Sequence, residues 1–280
     1  MTEAINSQSA EKKLFPLSVV VLTKNVEDKL EDCLKSCQWV DDVVVVDSGS
    51  RDRTIEIAKR YGAYVINQGW MGYGLQRRFA VSQAAHDWVL CIDADERLTP
   101  ELSESIREAL SHPDIDKTGP HLFAFPRRNW FMGRFLKHGN GYPDWQPRLF
   151  NRNFACWSDA PVEETIESEE KPAKLRGDLI HYPTKNFMGF LKKQLRYSHI
   201  RAEYLYSQGA KPRASKLLLS PLCRFLRNYV LRAGFLDGAP GFVYIACGCV
   251  NSFAKHARLL ELAIEEREKR EEKKKASRET

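Results

Sequence analysis

The 280-residue chain lacks any stretch of about 20 apolar residues, the length that a membrane-spanning helix requires. Its longest uncharged run, Gly238 to Ala254, is interrupted by glycines, a proline and an asparagine, so we expect a buried or interfacial segment. The polar residues 1–13 also lack the apolar core of a secretory signal. These absences predict a chain that is neither exported nor threaded through a bilayer.

Metal-type spacing of cysteine and histidine is missing too. The seven cysteines are an odd number, and the close pairs Cys33/Cys37 and Cys247/Cys249 have no histidine near them in the sequence. A zinc site needs closely spaced cysteine and histidine ligands, and a disulfide framework usually has an even number of cysteines. Reduced thiols in the cytosol are therefore the simplest interpretation. A hydrophobic content of 43% excludes a disordered chain, because enough apolar residues are present to build a core.

Charge is abundant but unevenly distributed, and the net charge of +6 hides this. Residues 1–170 carry a net charge of −7, residues 171–258 carry +13, and residues 259–280 are neutral. The acidic first part argues against a protein that coats nucleic acid through a uniformly basic surface. The segregation predicts two regions with different partners.

Four short apolar runs in the first hundred residues predict strands that are covered on both faces, as in a parallel sheet. They are Leu17–Leu22, Val43–Val46, Ala63–Ile66 and Trp88–Ile92. The helical patterns between them cover Val26–Cys37, Asp52–Tyr61 and Gly74–Ala85. This alternation predicts a doubly wound α/β domain that binds its ligands at the carboxyl ends of the strands.

A second half of the same domain follows a helix that starts at Thr99–Pro100 and runs to about Leu110. Its predicted strands are Leu122–Pro126, Pro147–Phe150 and Lys174–His181. Beyond it the predicted helices are Phe187–Tyr206, Ala214–Ala233, which Pro221 breaks or begins, and Gly241–Arg270. We therefore divide the chain into a disordered N-terminus (1–16), an α/β domain (17–184, with halves 17–98 and 99–184), a helical membrane-associating region (185–264) and a charged tail (265–280).

Two carboxylates, Asp93 and Asp95, stand at the end of the fourth predicted strand. With one alanine between them they can hold Mg²⁺ or Mn²⁺, hard cations that bridge carboxylate and diphosphate oxygens. The alternative for this pair is a cap for the helix after Thr99. Asp47 ends the second strand and can accept hydrogen bonds from a base or ribose, the alternative being a plain strand-to-helix turn.

Three of these segments together resemble the motifs of inverting family-2 glycosyltransferases with the GT-A fold. They read LSVVVLTKN (17–25), VVVVDSGSRDRT (43–54) and DWVLCIDADERL (87–98). Further segments resemble the bacterial subgroup of lipopolysaccharide-core β-1,4-glucosyltransferases, so that the similarity covers roughly Leu17 to Leu260. These are residues 127–153, the HYP at 181–183 and the GFLDGAPGF at 234–242.

The resemblance implies a GT-A nucleotide-diphospho-sugar transferase fold, which is a doubly wound, mixed central sheet, with a C-terminal helical extension. It implies that Asp95 binds Mg²⁺ or Mn²⁺ directly, with Asp93 on the ribose, on the metal or on a metal-bound water. Val26 stands where many members have an acid, and Arg78 where the family usually has asparagine. The donor-binding residues that the resemblance implies are Thr23, Asn25, Glu27, Asp47, Gln76, Arg77 and Asp93.

The resemblance also implies a general base, because an inverting transfer needs one group to deprotonate the acceptor hydroxyl and a carboxylate suits this task. The subgroup carries its base in a Val-His-Glu motif, and the corresponding run here is Pro161-Val162-Glu163-Glu164. Glu164 then aligns with the base, and Glu163, which replaces the histidine, is the alternative. Asp144, Trp145 and Arg148 fall in an expected acceptor loop, where the arginine suits a phosphate.

The predicted helix Ala214–Ala233 has leucine and phenylalanine on one face and arginine and lysine on the other. This pattern favours a helix that lies in the interface of an anionic membrane. The alternative is a helix that packs on the α/β domain and leaves its charges in solvent.

The sequence and the resemblance together predict an inverting enzyme that transfers a hexose from a UDP-sugar to a lipid-linked acceptor. Glucose is the expected hexose. The expected acceptor is heptose of the lipopolysaccharide inner core, at the inner face of the cytoplasmic membrane. Two alternatives stay open: a related transferase for another lipid-linked or capsular saccharide, and a nucleotide-sugar-binding protein without turnover. A nucleic-acid partner is not expected.

Overall fold

The computed structural model describes residues 14–184 and 186–277. Its strands are β1 (Phe15–Thr23), β2 (Val40–Asp47), β3 (Tyr64–Asn67), β4 (Trp88–Asp93), β5 (Glu96–Leu98), β6 (Leu122–Phe131), β7 (Arg134–Phe135), β8 (Asp144–Asn151), β9 (Ala155–Trp157), β10 (Ile166–Ser168), β11 (Ala173–Lys174) and β12 (Leu179–His181). Its helices are α1 (Leu30–Lys35), α2 (Thr54–Arg60), α3 (Tyr73–Ser82), α4 (Pro100–Leu110), α5 (Ile115–Thr118), α6 (Phe187–Ser207), α7 (Ser215–Phe225) and α8 (Gly238–Ala276). The predicted disordered segment 1–16 falls mostly outside the described residues, and where the two overlap Phe15 and Pro16 already belong to β1.

Ten strands form one mixed sheet with the order β3-β2-β1-β4-β8-β6-β12-β5, while β7 and β11 pair with β6. β1 pairs in parallel with β2 and β4, and β2 pairs in parallel with β3, which confirms the parallel sheet predicted for the first half. β8 runs antiparallel to both β4 and β6, so the second half is mixed. This is the doubly wound, mixed-sheet architecture expected of the GT-A fold.

Both faces of the parallel half are covered, which explains its continuous apolar runs. Successive residues of β1 point to opposite sides of the sheet. Leu17, Val19 and Val21 pack in a core with α1, α2 and α4, whereas Val20 packs in a second core with α3. The register sets Thr23 opposite Asp47 and Leu22 opposite Asp93, so the polar residues that end these strands share one edge of the sheet.

The helix predicted over Val26–Cys37 is wrong in its first four residues, because α1 begins at Leu30. The loop before it uses its N–H groups elsewhere: the backbone N of Val26 donates to Thr54 Oγ1 at 2.9 Å, and that of Glu27 donates to Asp52 Oδ2 at 3.2 Å. These side chains tie the loop to the β2–α2 turn, and residues 26–29 form a tight turn in which Lys29 N donates to Val26 O at 3.0 Å. The two loops at the carboxyl ends of β1 and β2 are locked together.

The C-terminal helices pack on the sheet domain instead of standing apart from it. α6 and α8 lie against each other, and Phe190 of α6 contacts Phe131 of β6 with ring centroids 5.0 Å apart. Tyr244 of α8 completes the cluster, with its ring centroid 5.3 Å from both phenylalanines. This aromatic cluster fixes α6 over the carboxyl edge of the sheet.

Residues 215–237, which we call the elbow, comprise α7, a π-helical turn over Leu226–Leu231 and a 3-10 turn over Gly234–Asp237. The prediction that Pro221 breaks or begins a helix is wrong, because α7 runs through it. Proline has no N–H to donate to the carbonyl of Leu217, so α7 continues past Pro221 with that helical hydrogen bond missing. No single described helix is long and apolar enough to cross a membrane, although Ser215–Leu231 and Gly234–Ala276, bent by 75°, pass that test as a pair.

Candidate functional site

Two adjoining cavities open at the carboxyl edge of the sheet. The first, which we call the strand-end cavity, has a volume of about 500 Å³ and lies between the ends of β1 and β4 and helix α6. The second, which we call the α8-side cavity, has a volume of about 490 Å³ and lies between β8, residues 163–166 and helices α6 and α8. The residues that line both are Tyr73, Asp93, Lys193 and Tyr197.

Asp93 lies at this junction and is held by two arginines. Arg77 Nη2 is 2.6 Å from its Oδ1, and Arg148 Nη2 is 3.2 Å from its Oδ2. Burial alone would raise the pKa of Asp93, but the two guanidinium groups outweigh it and hold the pKa well below the usual range. The capping alternative for this residue is wrong, since Thr99 Oγ1 caps α4 by accepting from Leu102 N. Asp93 is thus a fixed anion, and its predicted contact with donor or metal stays a prediction.

Asp95 is placed differently, with its two oxygens facing a histidine and a lysine. Its Oδ1 is 3.6 Å from His181 Nε2, and its Oδ2 is 3.6 Å from Lys29 Nζ. Burial raises the pKa of Asp95 to about 6, with a further contribution from the negative charges of Asp93 and Glu96. A cation that binds next to such a carboxylate stabilises its ionised form.

His181 was not assigned a role from the sequence, although its HYP segment belonged to the resemblance. Its Nδ1 is 2.6 Å from Asn129 Oδ1, and the Asn129 amide nitrogen donates to Gly141 O, so Nδ1 carries the proton. Burial lowers the pKa of His181 well below its usual value, and the nearby cations Arg127 and Lys193 lower it further. The ring is therefore neutral, and its Nε2 presents a lone pair toward Asp95.

These two side chains fit a divalent cation. Two ligand atoms that each lie about 2.1 Å from one ion are about 3–4 Å apart, and Asp95 Oδ1 and His181 Nε2 meet this condition at 3.6 Å. Within residues 14–184 and 186–277, no group of three or more His, Cys, Asp or Glu side chains could hold a metal. An ion at this position would take its other ligands from substrate and water.

Arg77 forms a bridge between two carboxylates, which we call the Arg77 bridge (Asp93–Arg77–Glu164). Its Nε donates to Glu164 Oε1 at 2.7 Å while its Nη2 holds Asp93, and its side chain is only 3% exposed. The guanidinium also lies 4.7 Å from the ring centroid of Trp157. Arg77 lines the α8-side cavity and not the strand-end cavity, and two of its nitrogens already bind carboxylates of the protein, so its predicted donor-binding role stays a prediction. Its neighbour Arg78 pairs with Asp159 at 2.7 Å, outside both cavities.

The two candidate bases are separated by the backbone. Glu163 has a φ of 53°, in the left-handed region, and its half-exposed side chain pairs with Arg201 Nε at 3.2 Å. Glu164 is 11% exposed and pairs with Arg77. Both glutamates line the α8-side cavity, but they pair with different arginines. Only Glu164 is joined to the strand-end motif.

Several of the predicted donor-binding residues organise loops in this structure. Asp47 is fully buried and accepts from Thr23 Oγ1 at 2.8 Å and from the backbone N of Gly49 and Ser50 at 2.9 and 2.7 Å. Gln76 is equally buried; its Nε2 donates to Ser48 Oγ and to Gln68 O. Both residues hold the loops around the site in place without lining either cavity.

Of the residues predicted for the first loop, Thr23 lines the strand-end cavity, together with Lys24 and Val26. Asn25 and Glu27 are not among its lining residues. Asn25 Oδ1 accepts from Arg51 N at 2.8 Å, and Glu27 Oε2 accepts from Arg53 N at 3.1 Å. They fasten the β1 loop to the β2 loop, which sets the position of the cavity wall.

The three residues predicted for the acceptor loop fall into two groups. Trp145 and Arg148 line the α8-side cavity. Asp144 does not, because its Oδ2 pairs with Arg127 Nη2 at 2.7 Å. The Nε of Arg148 is buried and has no hydrogen-bond partner in the part of the chain that the structure describes.

One wall of both cavities comes from α6, which the sequence placed in a membrane-associating region. Lys193, Arg196, Tyr197 and Ile200 line the strand-end cavity at the spacing i, i+3, i+4, i+7 of a single helix face. The hydroxyls of Tyr197 and Tyr73 are 2.6 Å apart, which joins α6 to α3 above Asp93. A helical pattern alone gives no sign of this role, because it depends on where the helix packs.

The model of the family described as Glycosyl transferase family 2 matches residues 18–192. An uncharacterized glycosyltransferase of Rickettsia typhi is 30% identical over 263 residues, covering 90% of this chain and 89% of its own. The lipopolysaccharide core biosynthesis glycosyltransferase LpsC of Rhizobium meliloti is 30% identical over 252 residues, covering 88% and 92%. Among solved structures, S. aureus TarS 1–349 in complex with UDP is 16% identical with a TM-score of 0.44, covering 89% of this chain and 91% of that one.

Proposed function

The chain belongs to glycosyl transferase family 2, and from this we propose that it transfers glucose from UDP-glucose to a lipid-linked acceptor, heptose of the lipopolysaccharide inner core. The name of the LpsC relative, which spans nearly the whole of both chains, supports this class of acceptor. The proposed reaction is a single displacement with inversion at the anomeric carbon.

The observation that carries the proposal is the Arg77 bridge between the two cavities. Asp93 stands at the strand-end motif and Glu164 stands in the neighbouring cavity, and one buried guanidinium holds both. An inverting transfer needs the donor and the acceptor on opposite sides of the reacting carbon, with a base on the acceptor side. Two cavities that share a wall at Asp93 supply this arrangement, the strand-end cavity for the donor and the α8-side cavity for the acceptor.

Asp95 lines the donor cavity and His181 lines the acceptor cavity, and where these two side chains face each other they would hold Mg²⁺ or Mn²⁺. When bound, such an ion supplies positive charge to the diphosphate oxygens of the donor. Lys29 fixes the carboxylate from the other side, because its Nζ contacts Asp95 and also donates to the carbonyl of Tyr182 at 2.9 Å.

In the acceptor cavity, Glu164 would take the proton of the attacking hydroxyl. Arg77 holds Oε1, so that Oε2 is the oxygen that would accept this proton. The pairing orients Glu164 before the acceptor binds. Trp145, which is exposed, offers a flat apolar face against which a sugar ring can pack.

The elbow is the part of the proposal that concerns the membrane. Leu218 and Leu231 are 75% and 80% exposed, and Leu222, Leu226 and Leu236 are also exposed. Lys216, Arg224, Arg227 and Arg232 lie among them in the same segment. Exposed leucines next to basic residues suit an anionic bilayer surface, where the lipid-linked acceptor would be met from the cytoplasmic side.

The test is UDP release from a panel of nucleotide-sugars, with a heptose-terminated core oligosaccharide as acceptor and with Mg²⁺, Mn²⁺ or a chelator present. We expect release that needs UDP-glucose, acceptor and metal together, and a β-linked product by NMR. Transfer from a different nucleotide-sugar would overturn the donor, and an α-linked product would overturn inversion. Tight UDP binding without any transfer would favour the non-catalytic alternative.

A further inference from the structure

Lys193 of α6 is a cation without a carboxylate partner. It borders both the strand-end cavity and the α8-side cavity. No carboxylate in residues 14–184 and 186–277 forms an ion pair with it. Its Nζ lies over the ring of Tyr197, 5.7 Å from the ring centroid. A positive charge at the junction is therefore available to a ligand.

The carboxylates around the junction form their direct ion pairs with other cations. Asp93 pairs with Arg77 and Arg148, and Asp95 pairs with Lys29. The charge of Lys193 acts on Asp93 and Asp95 from a distance and lowers the pKa of both, but among the described residues no carboxylate oxygen pairs directly with its ammonium group. That group can therefore take the anion of a ligand as its direct partner.

The backbone that carries Lys193 is held on both sides. One turn earlier, Phe190 is buried in the aromatic cluster, and one turn later, the hydroxyl of Tyr197 contacts that of Tyr73 at 2.6 Å. The next residue, Gln194, accepts from Asn251 Nδ2 of α8 at its backbone O, 2.9 Å away, and at its Oε1, 3.1 Å away. The ammonium group therefore starts from a fixed point, which lowers the entropy that it loses on binding.

We infer that Lys193 is a catalytic residue that contacts the β-phosphate of the sugar-nucleotide donor and stabilises the nucleoside diphosphate as it leaves. The inference rests on the proposed function. In the displacement, the acceptor oxygen forms a bond to the anomeric carbon and its proton goes to Glu164. The bond from that carbon to the β-phosphate oxygen breaks, and its electron pair stays on the phosphate, which gains negative charge at the junction where Lys193 lies.

Two neighbouring cations are less suited to this task. Arg196 lines the strand-end cavity but not the α8-side cavity, and it lies one turn farther along α6. Lys192 lines neither cavity and is exposed. Lys192 therefore offers a matched control, since it is an adjacent lysine on the same helix.

The test compares wild type with Lys193→Gln, Lys193→Arg and Lys192→Gln. Affinity for UDP is measured by calorimetry with Mn²⁺ present, affinity for uridine by NMR titration, and transfer from UDP-glucose by UDP release. We expect Lys193→Gln to weaken UDP binding by about 10- to 100-fold, the range for a hydrogen bond to a charged group, and to lower kcat by at least as much. Uridine binding should not change, Lys193→Arg should recover most of the loss, and Lys192→Gln should behave as wild type.

Three results would overturn the inference. The first is a Lys193→Gln variant that binds UDP as wild type does. The second is an equal loss of UDP and uridine binding, which would make Lys193 part of the wall only. The third is a rise in the acceptor KM at unchanged UDP affinity, which would assign the charge to a phosphate of the acceptor. Failure of the proposed function is seen separately, as a wild-type protein that neither binds UDP nor turns over UDP-glucose.

Discussion

The Arg77 bridge and the elbow place their side chains in opposite ways. In the bridge, Arg77, Asp93 and Glu164 are mostly enclosed and each charge has a partner within 2.7 Å. In the elbow, α7 buries no residue and large leucines face outward. A change in the first arrangement is costly because removal of one charge leaves its partner unpaired. The exposed leucines of the second can change at little cost to the fold, so they are available to a partner outside the chain.

The largest effect on stability is expected from Arg77→Leu. It leaves Asp93 with Arg148 alone and Glu164 without its partner, so the free energy of unfolding should fall by about 3–5 kcal/mol. Chemical denaturation measures this change. The matched control is Arg60→Leu, which removes an exposed pair with Glu56 and should cost less than about 1 kcal/mol. Equal losses in the two variants would mean that the bridge is no more than a surface ion pair.

A smaller effect is expected at the joint between the two regions, where Asp237 of the elbow is buried against the sheet domain. Its carboxylate accepts from the backbone N of Lys137 and His138, with the shortest distances 2.9 and 2.8 Å. Asp237→Asn should lower the free energy of unfolding by about 1.5–3 kcal/mol, because charge-assisted hydrogen bonds become neutral ones or are lost. A variant as stable as wild type would show that the elbow is not anchored at this residue.

A substitution at an exposed leucine of the elbow should weaken membrane binding and leave the free energy of unfolding nearly unchanged. Leu231→Gln is expected to weaken recovery with vesicles of anionic lipid by about 10- to 100-fold, since burial of a leucine is worth about 1.5–3 kcal/mol. Its unfolding free energy should stay within about 0.5 kcal/mol of wild type. Leu75→Gln, at an exposed leucine of α3, is the control for vesicle co-sedimentation. Equal vesicle recovery for both variants would contradict a membrane role for the elbow.

The smallest effect is expected from a single elbow charge. Arg232→Gln should weaken binding to anionic vesicles by about fivefold, which corresponds to about 1 kcal/mol per basic residue near the surface. The loss should disappear when the vesicles contain only neutral lipid or when salt is raised. A loss that is independent of lipid charge would point to a change in the fold of the elbow.

Much of the sheet could be predicted because its strands are covered on both faces. β1, β2 and β4 are continuous runs of valine, isoleucine and leucine, and their order fixes a parallel sheet whose polar residues meet at one edge. The short strands β5, β7, β9 and β10 were not predicted, since two or three residues carry no periodic signal. Helix α1 starts later than predicted because residues 26–29 form a tight turn that is tied to the β2–α2 loop.

The candidate site was predictable in its types of residue but not in its pairings. The sequence placed Asp93, Arg77 and Glu164 in one site, but nothing local shows that a single guanidinium joins the other two. The choice between Glu163 and Glu164 depended on a left-handed backbone at Glu163, a conformation that glutamate seldom adopts. The role of α6 in the site depends on its packing against α8, which a helical pattern does not specify.

The most direct test of the division into donor and acceptor cavities is to measure UDP affinity and transfer rate together for Glu164→Gln, with Glu163→Gln as control. Glu164 lies in the acceptor cavity, so its variant should keep UDP affinity within about twofold of wild type and lose about 10²- to 10⁴-fold in transfer rate, the range for a general base. Glu163→Gln should keep both. Transfer by Glu164→Gln at the wild-type rate, or a loss of UDP affinity as large as the loss of rate, would contradict this assignment.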